Sequence, residues 1–131
     1  MTHILITGAS RYKSLGYEMA RQIGLINTSK YHVIISGRNE SELESSLKTL
    51  RDEGISCSSV VMDLLDSKSV KATVEAIKKD FGYINILVNN AALMKAGGSV
   101  ELQNLDEMRE VLETNLIGAW GVTQGLFTAF A

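Results

Sequence analysis

His3-Ile4-Leu5-Ile6-Thr7-Gly8-Ala9-Ser10-Arg11-Tyr12-Lys13-Ser14-Leu15-Gly16 is the stretch on which the fold turns. A short run of Ile and Leu breaks at Thr7-Gly8, and a segment of helical periodicity follows Gly16. Glycines between a strand and a helix let the backbone approach a pyrophosphate, and the free N–H groups of the helix N-terminus complement its charge. An ordinary turn between strand and helix can carry the same glycines, so the surrounding chain must decide.

Working outward, further apolar runs of strand length lie at Tyr31–Ser36, Ile55–Met62 and Ile84–Asn89, after the first at His3–Thr7. Ile4-Leu5-Ile6, Val33-Ile34-Ile35 and Ile84–Val88 do not alternate apolar with polar, as expected of parallel strands covered on both faces. Helical patterns separate them. The first is expected over Ser14–Leu25, with Leu15, Met19, Ile23 and Ile26 near one face. The second starts after Arg38 or Asn39, with Ser41 a candidate cap, Leu43, Leu47 and Leu50 its stripe and Gly54 at its end. The third covers Ser67–Asp80, capped by Asp66 or Ser67, with Val70, Val74 and Ile77 inward and Gly82 ending it. The fourth starts near Asn104–Asp106 and runs to the C-terminus, and the loop Lys95–Val100 before it is expected to be the most mobile. The order β-α-β-α-β-α-β-α with right-handed crossovers predicts an α/β fold, a doubly wound parallel sheet of Rossmann type.

Composition agrees. A chain of 131 residues fits one domain, and 45% hydrophobic with 21% charged residues is globular. There is no proline, where average usage of about 5% predicts roughly six. A net charge of −2 argues against a nucleic-acid partner, because phosphate neutralisation needs clustered cations. The single cysteine, Cys57, cannot form an internal disulfide, and no apolar run has the length of a membrane helix or the form of a signal peptide. A cytoplasmic location is expected. No His, Cys, Asp or Glu cluster has metal-ligand spacing. His3 and His32 read as structural or solvent-facing residues, and Cys57 as a small core residue.

Four short matches now fall in order. The chain resembles the N-terminal half of the short-chain dehydrogenase/reductase family, whose turn reads Thr-Gly-x-x-x-Gly-x-Gly. Thr7-Gly8 and Gly16 match, while the turn is two residues longer and Ser14 replaces the middle glycine. Asp63-Leu64 resembles the family's adenine-contacting pair, and Asn89-Asn90-Ala91-Ala92 resembles its Asn-Asn-Ala-Gly. Thr114-Asn115-Leu116 resembles the segment that carries its catalytic asparagine. The resemblance implies that Gly8, Ser10, Arg11, Ser14, Leu15, Gly16, Asp63, Leu64, Asn89 and Ala91 bind the cofactor and that Asn115 serves in proton relay. It also implies the strand order 3-2-1-4.

In NAD-binding units of this type a carboxylate near the end of the second strand holds the ribose 2′-OH. Here that stretch is Ile35-Ser36-Gly37-Arg38, with no carboxylate. Arg38 instead offers a planar multidentate partner for a 2′-phosphate. Arg11 resembles the second basic residue of NADP-preferring members, and Lys13 and Ser36 are candidate helpers. NADP(H) is therefore expected over NAD(H).

Carbonyl reduction needs a proton donor at the substrate oxygen, which the family supplies from Tyr-x-x-x-Lys. Tyr12, Tyr17, Tyr31 and Tyr83 are followed four residues later by Gly16, Arg21, Ile35 and Leu87, so none fits. Only Asn115 of the family's catalytic set is matched. The expectation is a single cofactor-binding domain over 1–131, truncated after its fourth helix. Its parent would reduce or oxidise a small carbonyl or alcohol, and the chain alone would not turn over. Two features predict a homo-oligomer. One is an uncapped edge at the fourth strand. The other is an apolar fourth helix, with Leu105, Met108, Leu112, Leu116, Ala119, Val122, Leu126 and Phe130 on one stripe and Val111, Trp120 and Phe127 on a second; two such faces expect two partners, and the resemblance implies that the one beyond its own sheet is a neighbouring subunit. The other reading is a non-catalytic nucleotide-binding or dimerisation module.

Overall fold

A computed structural model describes residues 1–95 and 98–127. Gly97 of the loop expected to be mobile and Phe130 of the helical stripe lie outside the described residues. Four parallel strands, β1 (Thr2–Ile6), β2 (Tyr31–Gly37), β3 (Cys57–Val61) and β4 (Ile86–Val88), form one sheet in the order β3-β2-β1-β4. Ile4 of β1 registers with Val33 of β2 and Ile86 of β4, and Val33 registers with Cys57 of β3. This is the expected doubly wound arrangement.

The strand sequences explain why both faces are filled. Ile4, Ile6, Val33 and Ile35 point to one face, where they meet Tyr17 and Ala20 of α1 (Leu15–Ile26) and Leu43 and Leu50 of α2 (Glu40–Asp52). Leu5 and Ile34, one residue out of phase, point to the other. There they meet Val70, Val74 and Ile77 of α3 (Ser67–Phe81) and Val122 and Leu126 of the last helix. Successive residues of a strand alternate faces, so a continuous apolar run serves two helix layers at once.

Caps fix the helix starts. Ser14, Asn39 and Asp66 each accept a backbone N–H of the following turn. Asn39, rather than Ser41, caps α2, and the Ser41 hydroxyl donates to Asn39 Oδ1 at 2.9 Å. Gly54 and Gly82 end their helices with φ of +81° and +76°, backbone that disfavours other residues.

Four expectations change. Strands β3 (Cys57–Val61) and β4 (Ile86–Val88) are shorter than their apolar runs, whereas β1 and β2 match theirs closely. Helix α1 does not bury Leu15 or Ile26, each 71% exposed. Its inner face is Gly16, Tyr17, Ala20 and Gly24, because close packing on the sheet selects small residues. A Cβ on Gly24 would stand 2.4 Å from Ile55 Cγ2. Strand β4 is the expected edge, but it is not covered on both sides as its apolar run predicts: Ile86 is 46% exposed. Finally, the fourth helix is not continuous. It runs as α4 (Leu105–Leu112), a π-helical segment (Glu113–Gly118) and α5 (Ala119–Phe127). The wider π turn rotates later residues out of the 3.6-residue stripe. Val122 and Leu126 are buried, while Leu105, Met108, Leu112 and Leu116 are exposed.

Candidate functional site

The carboxyl ends of β1, β2 and β3 open onto a cleft of about 1210 Å³. Its position follows from topology. The chain leaves β1 for one side of the sheet and β4 lies on the other, so a crevice forms where the strand order reverses.

The turn after β1 is the cleft's floor. Gly8 has φ +68°, and a Cβ there would stand 2.6 Å from Ala91 Cα. Gly16 is equally confined, with a Cβ 2.6 Å from Gly8 O and from Asn90 Nδ2. Both positions demand glycine, one for conformation and close approach, the other for close approach alone. Ser14, at the middle-glycine position, adopts an ordinary extended conformation with φ −70°. It needs no glycine there because it has become the α1 cap, accepting Tyr17 N–H at 3.3 Å. The longer turn takes its left-handed residue one position earlier, at Lys13 with φ +59°. The first-turn N–H groups not used by the Ser14 cap have no intrahelical acceptor and face the cleft with Leu15 and Gly16.

The adjoining turns are tied together. The Thr7 hydroxyl accepts Asn90 N–H at 3.1 Å and Ala91 N–H at 3.0 Å. The Asn90 amide donates to Thr7 O and Gly8 O at 3.0 and 3.2 Å. These bonds lock the end of β4 to the glycine turn. From the other side, Ala9 N–H donates to Ser36 O at 2.9 Å, and the Ser46 hydroxyl of α2 donates to Ser10 O at 2.7 Å. Ser10 lies against Gly37, where a Cβ would meet its own Cβ at 2.5 Å. After β3, Asp63 Oδ1 accepts Leu65 N–H at 3.0 Å, a local turn that sets Asp63 and Leu64 at the cleft edge.

Of the residues expected to bind a cofactor, Gly8, Ser10, Arg11, Ser14, Leu15, Gly16, Arg38, Asp63, Leu64 and Ala91 all line this cleft. Arg11 and Arg38 are exposed, and neither forms an ion pair among the described residues. Asn89 is placed elsewhere: its amide donates to Thr123 Oγ1 of α5 at 3.0 Å. Its neighbour Asn90 faces the cleft instead, since adjacent residues leaving a strand point opposite ways. Thr7, Gly37 and Asn90 line the cleft as well, and strand parity and the Thr-Gly pair are the sequence signals for them.

Asn115 sits in the π segment. Its amide meets the Leu93 backbone twice, accepting Leu93 N–H at 2.6 Å and donating to Leu93 O at 2.8 Å. The side chain thus substitutes for a strand partner and pins the segment after β4. Gly118 lets the same helix pass close to the Asp63–Leu64 turn, where a Cβ would be 2.5 Å from Leu64 O.

Outside the cleft, His32 Nδ1 and Nε2 meet Ser56 Oγ at 2.7 Å and Ser58 Oγ at 2.9 Å. Burial, then His3 and Arg51, hold its pKa below the usual histidine value. Burial pushes the Cys57 thiol pKa up, which disfavours the nucleophilic thiolate. No cluster of metal-ligating side chains occurs among the described residues, and no helix there is long and apolar enough to cross a membrane.

The family model for short chain dehydrogenase matches residues 2–131. An NADP-dependent 3-hydroxy acid dehydrogenase of Schizosaccharomyces pombe is 31% identical over 97% of this chain and 48% of its own length. The crystal structure of a variant actinorhodin polyketide ketoreductase with NADPH is 30% identical, with a TM-score of 0.85 over 98% of this chain and 47% of that one. A gluconate 5-dehydrogenase from Burkholderia cenocepacia, in complex with NADP and tartrate, is 27% identical with a TM-score of 0.85 over 97% of this chain and 48% of that one. The chain spans about half the length of the curated relatives it matches.

Proposed function

The chain belongs to the short-chain dehydrogenase family, and from that premise we propose that it forms the NADP(H)-binding part of an enzyme transferring hydride between a carbonyl and an alcohol. The single observation that carries the cofactor reading is the second-strand end, where Gly37-Arg38 lines the cleft with Arg11 and the stretch Ile35–Arg38 contains no carboxylate. A guanidinium there suits a 2′-phosphate, which a carboxylate would repel. The NADP and NADPH named with the ketoreductase and gluconate 5-dehydrogenase structures support the same choice.

The residues of this chain divide the work of binding. Gly8, Ser10, Ser14, Leu15 and Gly16 admit the diphosphate to the α1 N-terminus, Asp63 and Leu64 bound the adenine side, and Ala91 and Asn90 back the turn. The bound nicotinamide would supply the hydride chemistry. Asn115 holds Leu93 at the reacting end of the cleft. It is the family's catalytic match within these residues, and no tyrosine here has lysine four positions on. Proton transfer would then draw on Tyr, Lys and Ser that residues 1–131 do not supply, and on this reading the chain alone binds nucleotide weakly or not at all and does not turn over. Small carbonyl or alcohol substrates and a cytoplasmic setting go with this reading.

A second reading, a non-catalytic dimerisation module, is favoured by the apolar residues exposed along α4 and α5, Trp120 among them at 69%.

Replacing Arg38 with Asp tests the first reading. The dissociation constant for NADPH, followed by calorimetry, should rise by about tenfold or more while that for NADH does not. An unchanged NADPH/NADH ratio overturns the cofactor assignment.

A further inference from the structure

Glu42 lies in the first turn of α2, three residues after the Asn39 cap, and lines the cleft together with Arg11 and Arg38. A glutamate at that helix position usually reaches back to the cap's own N–H. Here it reaches across the cleft wall, where Glu42 Oε2 accepts the Ser10 hydroxyl at 3.2 Å. Ser10 cannot easily turn away. Its carbonyl is held by Ser46 Oγ at 2.7 Å, and its side chain rests against Gly37 with no room for a Cβ there. The Ser10 hydroxyl, which lies against Gly37 at the end of β2, thus donates to a carboxylate in the corner where the proposed reading places a 2′-phosphate.

We propose that Glu42 is a specificity-determining residue that opposes the two arginines, holding down the preference for a 2′-phosphorylated nucleotide over its unphosphorylated counterpart. This rests on the cofactor reading above. Two physical effects act in the same direction. The carboxylate competes for the Ser10 donor that a phosphate oxygen would take. Its negative charge also raises the cost of bringing a second anion between Arg11 and Arg38. Glutamine at this position is isosteric and still accepts from Ser10, so it isolates the charge. Alanine removes both effects.

The experiment titrates NADPH and NADH separately into the unsubstituted chain and into Glu42→Gln, Glu42→Ala and Ser46→Ala. Exposed like-charge effects of this kind correspond to about threefold in affinity. The NADPH/NADH affinity ratio should rise about threefold in Glu42→Gln, and further in Glu42→Ala. The gain should vanish in about 1 M salt, where the Debye length is about 3 Å. Ser46→Ala loosens the tie between turn and helix without altering charge and should leave the ratio alone. Saturable binding whose ratio is the same in wild type and Glu42→Gln overturns this proposal while leaving the cofactor reading intact. So does an equal gain for both nucleotides. Absence of binding by the unsubstituted chain at millimolar nucleotide overturns both.

Discussion

On the sheet face covered by α1 and α2, apolar side chains end in protein: Tyr17, Leu43 and Leu50 are all 1% exposed or less. On the opposite face, α3 and the end of α5 cover Leu5 and Ile34 equally well, yet the helix that supplies Val122 and Leu126 also carries Leu105, Leu112 and Leu116 into solvent. One helix therefore holds both a finished and an unfinished face. The π segment at Glu113–Gly118 changes the phase of the stripe, so Val122 and Leu126 turn to the sheet while Trp120 and Phe127 beside them stay exposed. The cleft is built almost wholly by the finished side and the tie between β1 and β4. The cleft and the exposed apolar residues of α4 thus lie largely in different regions.

Truncations sharpen this contrast most. Leu50→Ala removes a side chain with 0% exposure and should cost about 2–5 kcal/mol in urea unfolding. Leu112→Ala, at a residue 54% exposed, should cost less than about 0.5 kcal/mol if that face stays in water. A large, concentration-dependent loss for Leu112→Ala would break the comparison, because it would show that a second molecule covers the face.

Asn115→Ala comes next. It removes two hydrogen bonds to the Leu93 backbone and should cost about 1–2 kcal/mol. Hydrogen exchange at the Leu93 amide should accelerate, while amides of β1 and β2 keep their protection. Uniform acceleration through the sheet would mean that Asn115 supports the whole fold rather than the segment beside the cleft.

The finished region was the more legible from sequence, and physics explains why. Ile4-Leu5-Ile6 and Val33-Ile34-Ile35 announce two-sided burial without any long-range information. Asp66, Gly54 and Gly82 mark helix ends by local chemistry. Leu15 and Ile26 are apolar without being buried, because α1 packs through Gly16, Ala20 and Gly24 to come closer to the sheet. The π segment was illegible, since Glu113–Gly118 has no glycine or proline before Gly118 to signal it. The pair Asn89-Asn90 does not say by itself which of the two faces the cleft; strand parity decides it.

A smaller effect should come from pH. His32 lies on the same face of β2 as Ile34, beside Phe81 at the end of α3, with ring centroids 5.6 Å apart. Its pKa is lowered in the fold, so below the unfolded value of about 6.5 the unfolded chain binds more protons. The stability that neutral His32 contributes is complete above about pH 6.5 and drains as pH falls toward the depressed folded value. Urea midpoints should therefore fall from about pH 7.5 to about pH 5.5, and His32→Gln should flatten that slope. A slope unchanged in the variant would assign it to carboxylates instead.

Tyr17 is the flaw in the finished side, and its replacement gives the smallest expected effect. Its side chain is 1% exposed and its hydroxyl has no hydrogen-bond partner among the described residues. Desolvation, then Glu53, raise its pKa, as expected where an anion would be poorly accommodated. The ring earns its place by packing, with its centroid 5.2 Å from that of Tyr12 in an edge-on arrangement. Tyr17→Phe keeps the ring and deletes the orphaned group. Burying an unpaired hydroxyl costs about 1–3 kcal/mol, and part of that is recovered when it is removed, so a gain of up to about 1 kcal/mol is expected. Leu50→Ala and Tyr17→Phe therefore move stability in opposite directions within one core. A loss in Tyr17→Phe would show that the hydroxyl is satisfied by solvent reaching past Tyr12, and the α1–α2 face would then be less closed than the side chains around it suggest.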